Sequence, residues 1–266
     1  MPINNPTSST APVAVLTSGS FTGTLTTIPL TTNRTYGFPD TDGQVQLLRG
    51  DAPLCELFSH FLGDTGSWIF NVNGTSANGS YTNITDPTSA GIAQLTTGNT
   101  ATGRAALSII QVASGSILGA FRVGQGGRSI YAIRMRTPVP ADGVDTFITK
   151  IGFLLKLDSS ESVHGVFFRY NVSVSANWQI VCRTFNVETA VITSLPAAAN
   201  TWDSYKIIVN NGGTAVDFFI NNTNVGTITT NIPTANSVGA GAAIAKTLGT
   251  NGRTIEVDYQ YVGVGL

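Results

Sequence analysis

The chain has 266 residues, a formal net charge of −1 and only 11% charged residues, against about 25% in an average domain. That balance offers no basic patch for nucleic acid. No run approaches the ~20 apolar residues that a membrane span needs. Thr, Ser, Asn and Gly replace the missing charges, which makes a neutral, hydrogen-bonding surface. The start, Met1-Pro2-Ile3-Asn4-Asn5-Pro6, lacks the basic residues and apolar core of a signal peptide.

Residues 1–14 are rich in Pro, Ser and Thr without a period and are expected to form an extended, flexible arm. Residues 15–50 read as a short β-stalk and attachment segment. Its apolar positions are sparse, and Phe21, Leu25, Ile28, Tyr36, Phe38, Val45 and Leu47 are the ones expected to serve assembly and attachment. Such sparse positions cannot close a core in one chain, so they are expected to meet their counterparts in partner chains. Pro39-Asp40-Thr41-Asp42-Gly43 inside this segment is a turn, with proline fixing φ and glycine taking a positive φ. In residues 51–66, Leu54, Leu57, Phe58, Phe61 and Leu62 fall on one stripe before Gly63. This spacing predicts a short helix or an irregular linker.

From residue 67 to 266 the pattern is strands. Period-two runs are expected at 67–72, 92–97, 105–112, 117–123, 128–137, 146–157, 165–174, 178–185 and 189–195. Two hairpins follow, then runs at 240–246 and 253–262. Between 71 and 91 the chain is Asn, Gly, Ser and Thr around Tyr81, which predicts a long exposed loop. Asn210-Asn211-Gly212-Gly213 joins a strand bearing Tyr205, Ile207 and Val209 to one bearing Val216, Phe218 and Ile220. In the last strand, simple alternation puts Ile255, Val257, Tyr259 and Tyr261 on one face and Thr254, Glu256, Asp258 and Gln260 on the other. Many short strands without helical periods between them mean an all-β fold, an antiparallel β-sandwich or jelly roll.

Motifs for chemistry are few. Glu256 and Asp258 share a strand face as the carboxylates of some glycosidases do. They lie near the C-terminus without further acids, so the bland reading is a solvated face or pairing with a lysine such as Lys206. Asp40 with Asp42, Asp142 with Asp145, and Asp158 with Glu161 are too few for calcium, and His60 and His164 too few for a zinc cage. No metal or cofactor is expected. Cys55 and Cys182 are far apart in the chain, and Cys182 reads as a buried free thiol. Gly124-Gln125-Gly126-Gly127 precedes a strand rather than a helix, so it is a turn and not a phosphate loop. Saccharide sites stack an aromatic ring under the sugar. Trp178, at a loop-to-strand edge, with Tyr170 and Tyr81, are the candidates for that role, and Trp202 reads as core.

The run Thr31-x-x-Arg34-Thr35-x-x-x-Pro39-Asp40-x-x-Gly43-x-Val45 resembles the β-segment of tail-fibre and other virion proteins of tailed bacteriophages. The stretches Thr100–Leu107, Trp202 with its hairpins, and Ala245–Tyr259 are similar to a C-terminal domain of phage structural proteins, a jelly roll akin to concanavalin-type and laminin-G-type sandwiches. The resemblance implies a virion protein without enzymatic activity. Its expected form is a trimeric tail fibre whose arm meets other virion proteins and whose distal domain meets host-surface saccharide. A capsid-decorating or head-fibre protein is the alternative, and a glycan depolymerase using Glu256 and Asp258 a third.

Overall fold

The computed structural model describes residues 14–18, 21–25, 55–59, 69–71, 79–86, 89–108, 111–112, 116–117 and 119–265. The chain divides into two compact units, Met1–Leu47 and Leu48–Leu266. In the first, strands β1 (Ala14–Ser18) and β2 (Phe21–Leu25) form an antiparallel hairpin with Ser18 opposite Phe21. Phe21 and Leu25 therefore lie on β2. Ile28, Tyr36, Phe38, Val45 and Leu47 lie outside the described residues.

The second unit is two antiparallel sheets. Its strands run in chain order as β3 (Cys55–Ser59), β4 (Ile69–Asn71), β5 (Ser80–Asp86), β6 (Ser89–Thr96), β7 (Arg104–Ser108), β8 (Gln111–Val112), β9 (Ser116–Ile117) and β10 (Ser129–Arg136). They continue as β11 (Thr146–Leu154), β12 (Gly165–Asn171), β13 (Ser175–Thr184), β14 (Val187–Pro196), β15 (Asp203–Val209), β16 (Val216–Ile220), β17 (Thr223–Ile228), β18 (Gly239–Leu248) and β19 (Thr254–Val264). One sheet has eight strands in the order β17-β16-β15-β10-β19-β6-β5, with β3 also paired to β19. The other has seven, β14-β13-β12-β11-β18-β7-β4. Among the described residues β8 and β9 pair only with each other.

Alternation explains why these sheets face one another. Along β10, Ser129, Tyr131, Ile133 and Met135 are buried while Ile130, Ala132, Arg134 and Arg136 are half-buried. Tyr205, Ile207 and Val209 on β15 and Val216, Phe218 and Ile220 on β16 point the same way. They meet Phe168, Trp178 and Ile180 of the seven-stranded sheet in one core. Rings crowd its centre: Phe168 lies 5.3 Å from both Tyr205 and Phe218, and Trp178 lies 4.8 Å from Tyr205, centroid to centroid. Burying a side chain as large as tryptophan contributes on the order of 5 kcal/mol at ~25 cal/mol per Å².

The middle of the seven-stranded sheet is buried on its second face too. Residues 155–163 cross it, placing Leu157 against Ala106, Phe167, Val181 and Ala243. Beneath them Lys150 is buried and its Nζ donates to the Ser160 carbonyl at 2.5 Å.

Three expectations are corrected. The helix or linker over 51–66 gives way at Cys55–Ser59 to a strand, antiparallel to the C-terminal half of β19. Five residues hold little helical preference of their own, and the open edge of β19 satisfies their backbone groups instead. The loop expected over 71–91 contains β5, an edge strand whose polar Ser, Thr and Asn residues suit a strand that faces water. Finally, β19 does not alternate simply. Met135 pairs with Val257 and Arg134 with Tyr259, so Asp258 is an extra residue in a β-bulge. One inserted residue flips every later side chain. Gln260, Val262 and Val264 turn inward, and Tyr259 and Tyr261 turn outward. The buried Gln260 is accommodated because its Nε2 donates to the Tyr131 hydroxyl at 3.0 Å, which in turn donates to the Gly241 carbonyl at 3.0 Å.

Candidate functional site

The outer face of the eight-stranded sheet carries a group of aromatic and ionic side chains. Strand pairing lays them in rows across the strands. One row runs Phe219 on β16, Lys206 on β15, Ala132 on β10, Tyr261 on β19 and Phe58 on β3, each opposite the next. Phe58 is 55% exposed and its ring lies 6.0 Å from that of Tyr259. The Lys206 ammonium sits over the Phe219 ring, 4.7 Å from its centroid. A second row runs Thr82, Gln94, Glu256 and Arg136.

The ionic groups of this face are arranged around Trp202. Its half-buried ring lies under two guanidinium groups, Arg134 at 5.0 Å and Arg136 at 4.7 Å from the centroid. Each such contact is worth about 0.5–1 kcal/mol where it is partly exposed. The same two arginines hold the carboxylates of β19. Arg136 Nε donates to Glu256 Oε2 at 2.5 Å, and Arg134 donates to Asp258 Oδ2 at 2.5 Å. Gln94 Nε2 donates to Glu256 Oε1 at 2.9 Å. The pairing expected with Lys206 is thus corrected: strand β10, not β15, lies beside β19, and its alternation sends Arg134 and Arg136 outward. Glu256 and Asp258 arrive with guanidinium partners, unlike two free carboxylates dividing acid and nucleophile roles between them.

The sequence candidates for sugar stacking fare differently. Trp178 is 1% exposed and Tyr170 2%, and both belong to the core. No saccharide ring can stack on either, so both are corrected to structural aromatics. Alternation along β13 and β12 turns them inward, and the loop edge suggested for Trp178 is part of β13 itself. Tyr81 is partly buried on β5, packs against the core, and donates its hydroxyl to Asn83 Oδ1. It lies opposite Leu95, not among the aromatics of the outer face. Trp202, expected in the core, is corrected to the outer face, and so are Tyr259 and Tyr261, expected beside Ile255 and Val257, and Phe58, expected on a helical stripe. The alternation of Arg134-Met135-Arg136 was a signal for two outward cations. The bulge that exposes Tyr259 and Tyr261 left none.

Asp142 with Asp145 and Asp158 with Glu161 are engaged in ion pairs, and Asp40 and Asp42 lie outside the described residues. Arg253 Nη2 donates to Asp142 at 2.6 Å and Asp145 at 3.3 Å, and Asn251 Nδ2 donates to Asp145 at 2.6 Å. Arg104 meets Asp158 at 3.5 Å, and Arg169 meets Glu161 at 3.0 Å and Glu188 at 2.8 Å. Among the described residues no group of three His, Cys, Asp or Glu side chains is placed to hold a metal ion. His164 Nδ1 accepts the Phe185 amide at 3.2 Å. Cys182 is a buried free thiol, and burial pushes its pKa well up, away from reactivity.

Two antiparallel sheets packed face to face in this strand order define a concanavalin-like jelly-roll β-sandwich. Residues 88–258 match the family described as SO2946-like, C-terminal domain, and the chain belongs to that family. Among solved structures it is similar to the protein of unknown function SO2946 from Shewanella oneidensis MR-1. The identity is 13% and the TM-score 0.55, over 79% of this chain and 87% of that one. It is also similar to an endo-β-1,4-glucuronan lyase from Trichoderma reesei, at 9% identity and a TM-score of 0.52, over 80% of this chain and 95% of that one. A third is the carbohydrate esterase vb_24B_21 from the Shiga toxin-encoding bacteriophage phi24B, at 11% identity and a TM-score of 0.51, over 79% of this chain and 98% of that one. At such identities the likeness is one of fold. A search of curated proteins gave no match. One expectation is overturned here. The chain was read as no enzyme, yet a lyase and an esterase share its sandwich, so the fold supplies no ground for excluding catalysis.

Proposed function

We propose that this chain recognises glycan through the outer face of its eight-stranded sheet and serves on a bacteriophage particle. The observation that carries the glycan reading is the cluster of Tyr259, Tyr261, Phe58 and Trp202 beside hydrogen-bonding and ionic side chains on one solvent-facing sheet. Aromatic platforms with a few placed polar groups are what a saccharide site needs. That a glucuronan lyase and a carbohydrate esterase are built on this fold supports the reading, and the phage origin of the esterase supports the setting. In the finer form of the proposal, the chain is a homotrimeric tail fibre. Its N-terminal segment meets other virion proteins and its sandwich adsorbs to host-surface saccharide. A capsid-decorating or head-fibre role is the alternative placement.

A glycan-cleaving activity is the second reading, favoured by the convergence of Glu256, Asp258, Arg134 and Arg136 on that same face. One experiment serves both. The purified chain is presented with a glycan array, and the glycans it retains are then incubated with it and sized. Loss of retention in Tyr261→Ala supports the site, and unchanged retention in that variant rejects it. Shortened glycan whose formation stops in Glu256→Gln supports cleavage, and glycan of unchanged size rejects it.

A further inference from the structure

We propose that the glycan recognised by this face carries negative charge, and that Lys206 is the group that selects it. The inference rests on the glycan-binding reading and adds the ligand's chemical class. It starts from a count of ions on the outer face. Arg134 and Arg136 are each matched by a carboxylate at 2.5 Å. Lys206 is not matched: no carboxylate among the described residues lies within ion-pair distance of its ammonium, whose contact is the Phe219 ring at 4.7 Å. Asp217, on the same face of β16, lies opposite Ile208 rather than Lys206, and its Oδ1 accepts the Thr227 hydroxyl at 2.6 Å. Among the described residues Lys206 is therefore the cation of this face that lies outside ion-pair distance of a carboxylate, resting on an aromatic ring from which an incoming anion can draw it.

The neighbours of Lys206 fit that role. Opposite it on β10 stands Ala132, the smallest side chain of its row, and beyond Ala132 stands Tyr261. Strands lie ~4.8 Å apart, so Lys206 and Tyr261 are about 10 Å apart at the backbone with a shallow gap between them. A sugar ring stacked on the tyrosine over Ala132 brings a carboxylate or sulfate substituent to the ammonium. Phe58 extends the platform on one side and Phe219 on the other. Lysine is a point charge on a flexible stem, suited to either anion.

The test measures binding of the full chain to oligogalacturonate, to its methyl ester, to a heparin-type sulfated oligosaccharide and to cello-oligosaccharide, at 50 and 500 mM NaCl. The methyl ester keeps the sugar and removes the charge. A charge-assisted contact of about 1.5–3 kcal/mol corresponds to about 10–150-fold in affinity. The expected result is that an anionic oligosaccharide binds at least about tenfold more tightly than its neutral counterpart, that salt narrows the gap, and that Lys206→Met abolishes it. Lys206→Arg should retain the preference. The uronate and sulfate arms show which anion is preferred. If charged and neutral glycans bind equally, or Lys206→Met leaves a preference intact, the inference falls and the glycan reading stands. If none of these glycans binds, or Tyr261→Ala binds all of them as well as the unaltered chain, both fall.

Discussion

Lys150 shows how one buried charge writes itself into the pH dependence of the whole fold. It lies on β11 opposite Arg169, under residues 155–163, with its ammonium hydrogen-bonded to the Ser160 carbonyl. Burial pushes its pKa down to about 8, against the pull of the Glu161 and Asp158 carboxylates and with a smaller push from Arg169 and Lys156. The unfolded lysine keeps its proton to about 10.4. Below pH 8 both states are charged and the desolvation cost is fully present. Between about 8 and 10.4 the unfolded state binds more protons, so this group's contribution favours folding as pH rises. Cys182 acts the other way over the same range, because its buried thiol stays protonated while the unfolded thiol ionises. The two separate by difference. The stability of the unaltered chain minus that of Lys150→Met, measured by urea unfolding, should be constant from pH 6 to 7.5 and rise from pH 8 to 10. A flat difference would mean that Lys150 is not held in a desolvated state. Nothing in Thr149-Lys150-Ile151 announced this, because the cover comes from a loop folded back over the sheet.

Among the elements, most strands were legible because their burial alternates and their ends carry turn residues. The hairpin from Asp203–Val209 to Val216–Ile220 is paired as its pattern predicts, Val209 to Val216, with Gly212 and Gly213 taking φ of 89° and 63°. What stayed hidden was set by pairing across the sheet. The polar Ser80–Asp86 looked like loop because an edge strand needs little apolar surface, and Cys55–Ser59 looked helical because β19's free edge is far away in sequence. The Asp258 bulge mattered most: one extra residue moved Tyr259 and Tyr261 from the expected core to the candidate site. Gly152 in the middle of β11 is a similar case, where the element depends on a backbone that pattern cannot reveal. Its φ is 141°, and an added Cβ would meet the Val166 carbonyl oxygen at 2.6 Å and Ile207 Cδ1 at 2.8 Å. Neither the conformation nor the space suits a side chain. Gly152→Ala should lower stability by about 2–4 kcal/mol through strain and overpacking, seen as a lower denaturation midpoint at unchanged m-value. A loss below about 0.5 kcal/mol would show that β11 can relax at this point.

For the whole molecule, the division at Leu47 separates two different problems of stability. The unit Leu48–Leu266 carries a core closed between its own two sheets, with Phe168, Trp178 and Phe218 at its centre. Residues 1–47 offer only scattered apolar positions, among them Phe21, Leu25 and Tyr36. Burial stabilises such a segment only when neighbouring copies cover it. The proposed trimer therefore predicts a sharp asymmetry. The full chain should have the solution mass of three copies, and a chain lacking residues 1–47 should be a folded monomer with an unchanged unfolding midpoint at high dilution. Glycan binding provides a second readout. Three linked sites on a multivalent surface gain avidity of about 10²–10⁴ over one, so truncation should weaken adsorption to glycan-coated beads by that order while leaving the affinity for a free oligosaccharide as it was. A full chain that is monomeric by mass would remove the stalk from the proposal. The glycan face, built within Leu48–Leu266, would remain to be judged by Tyr261 and Lys206.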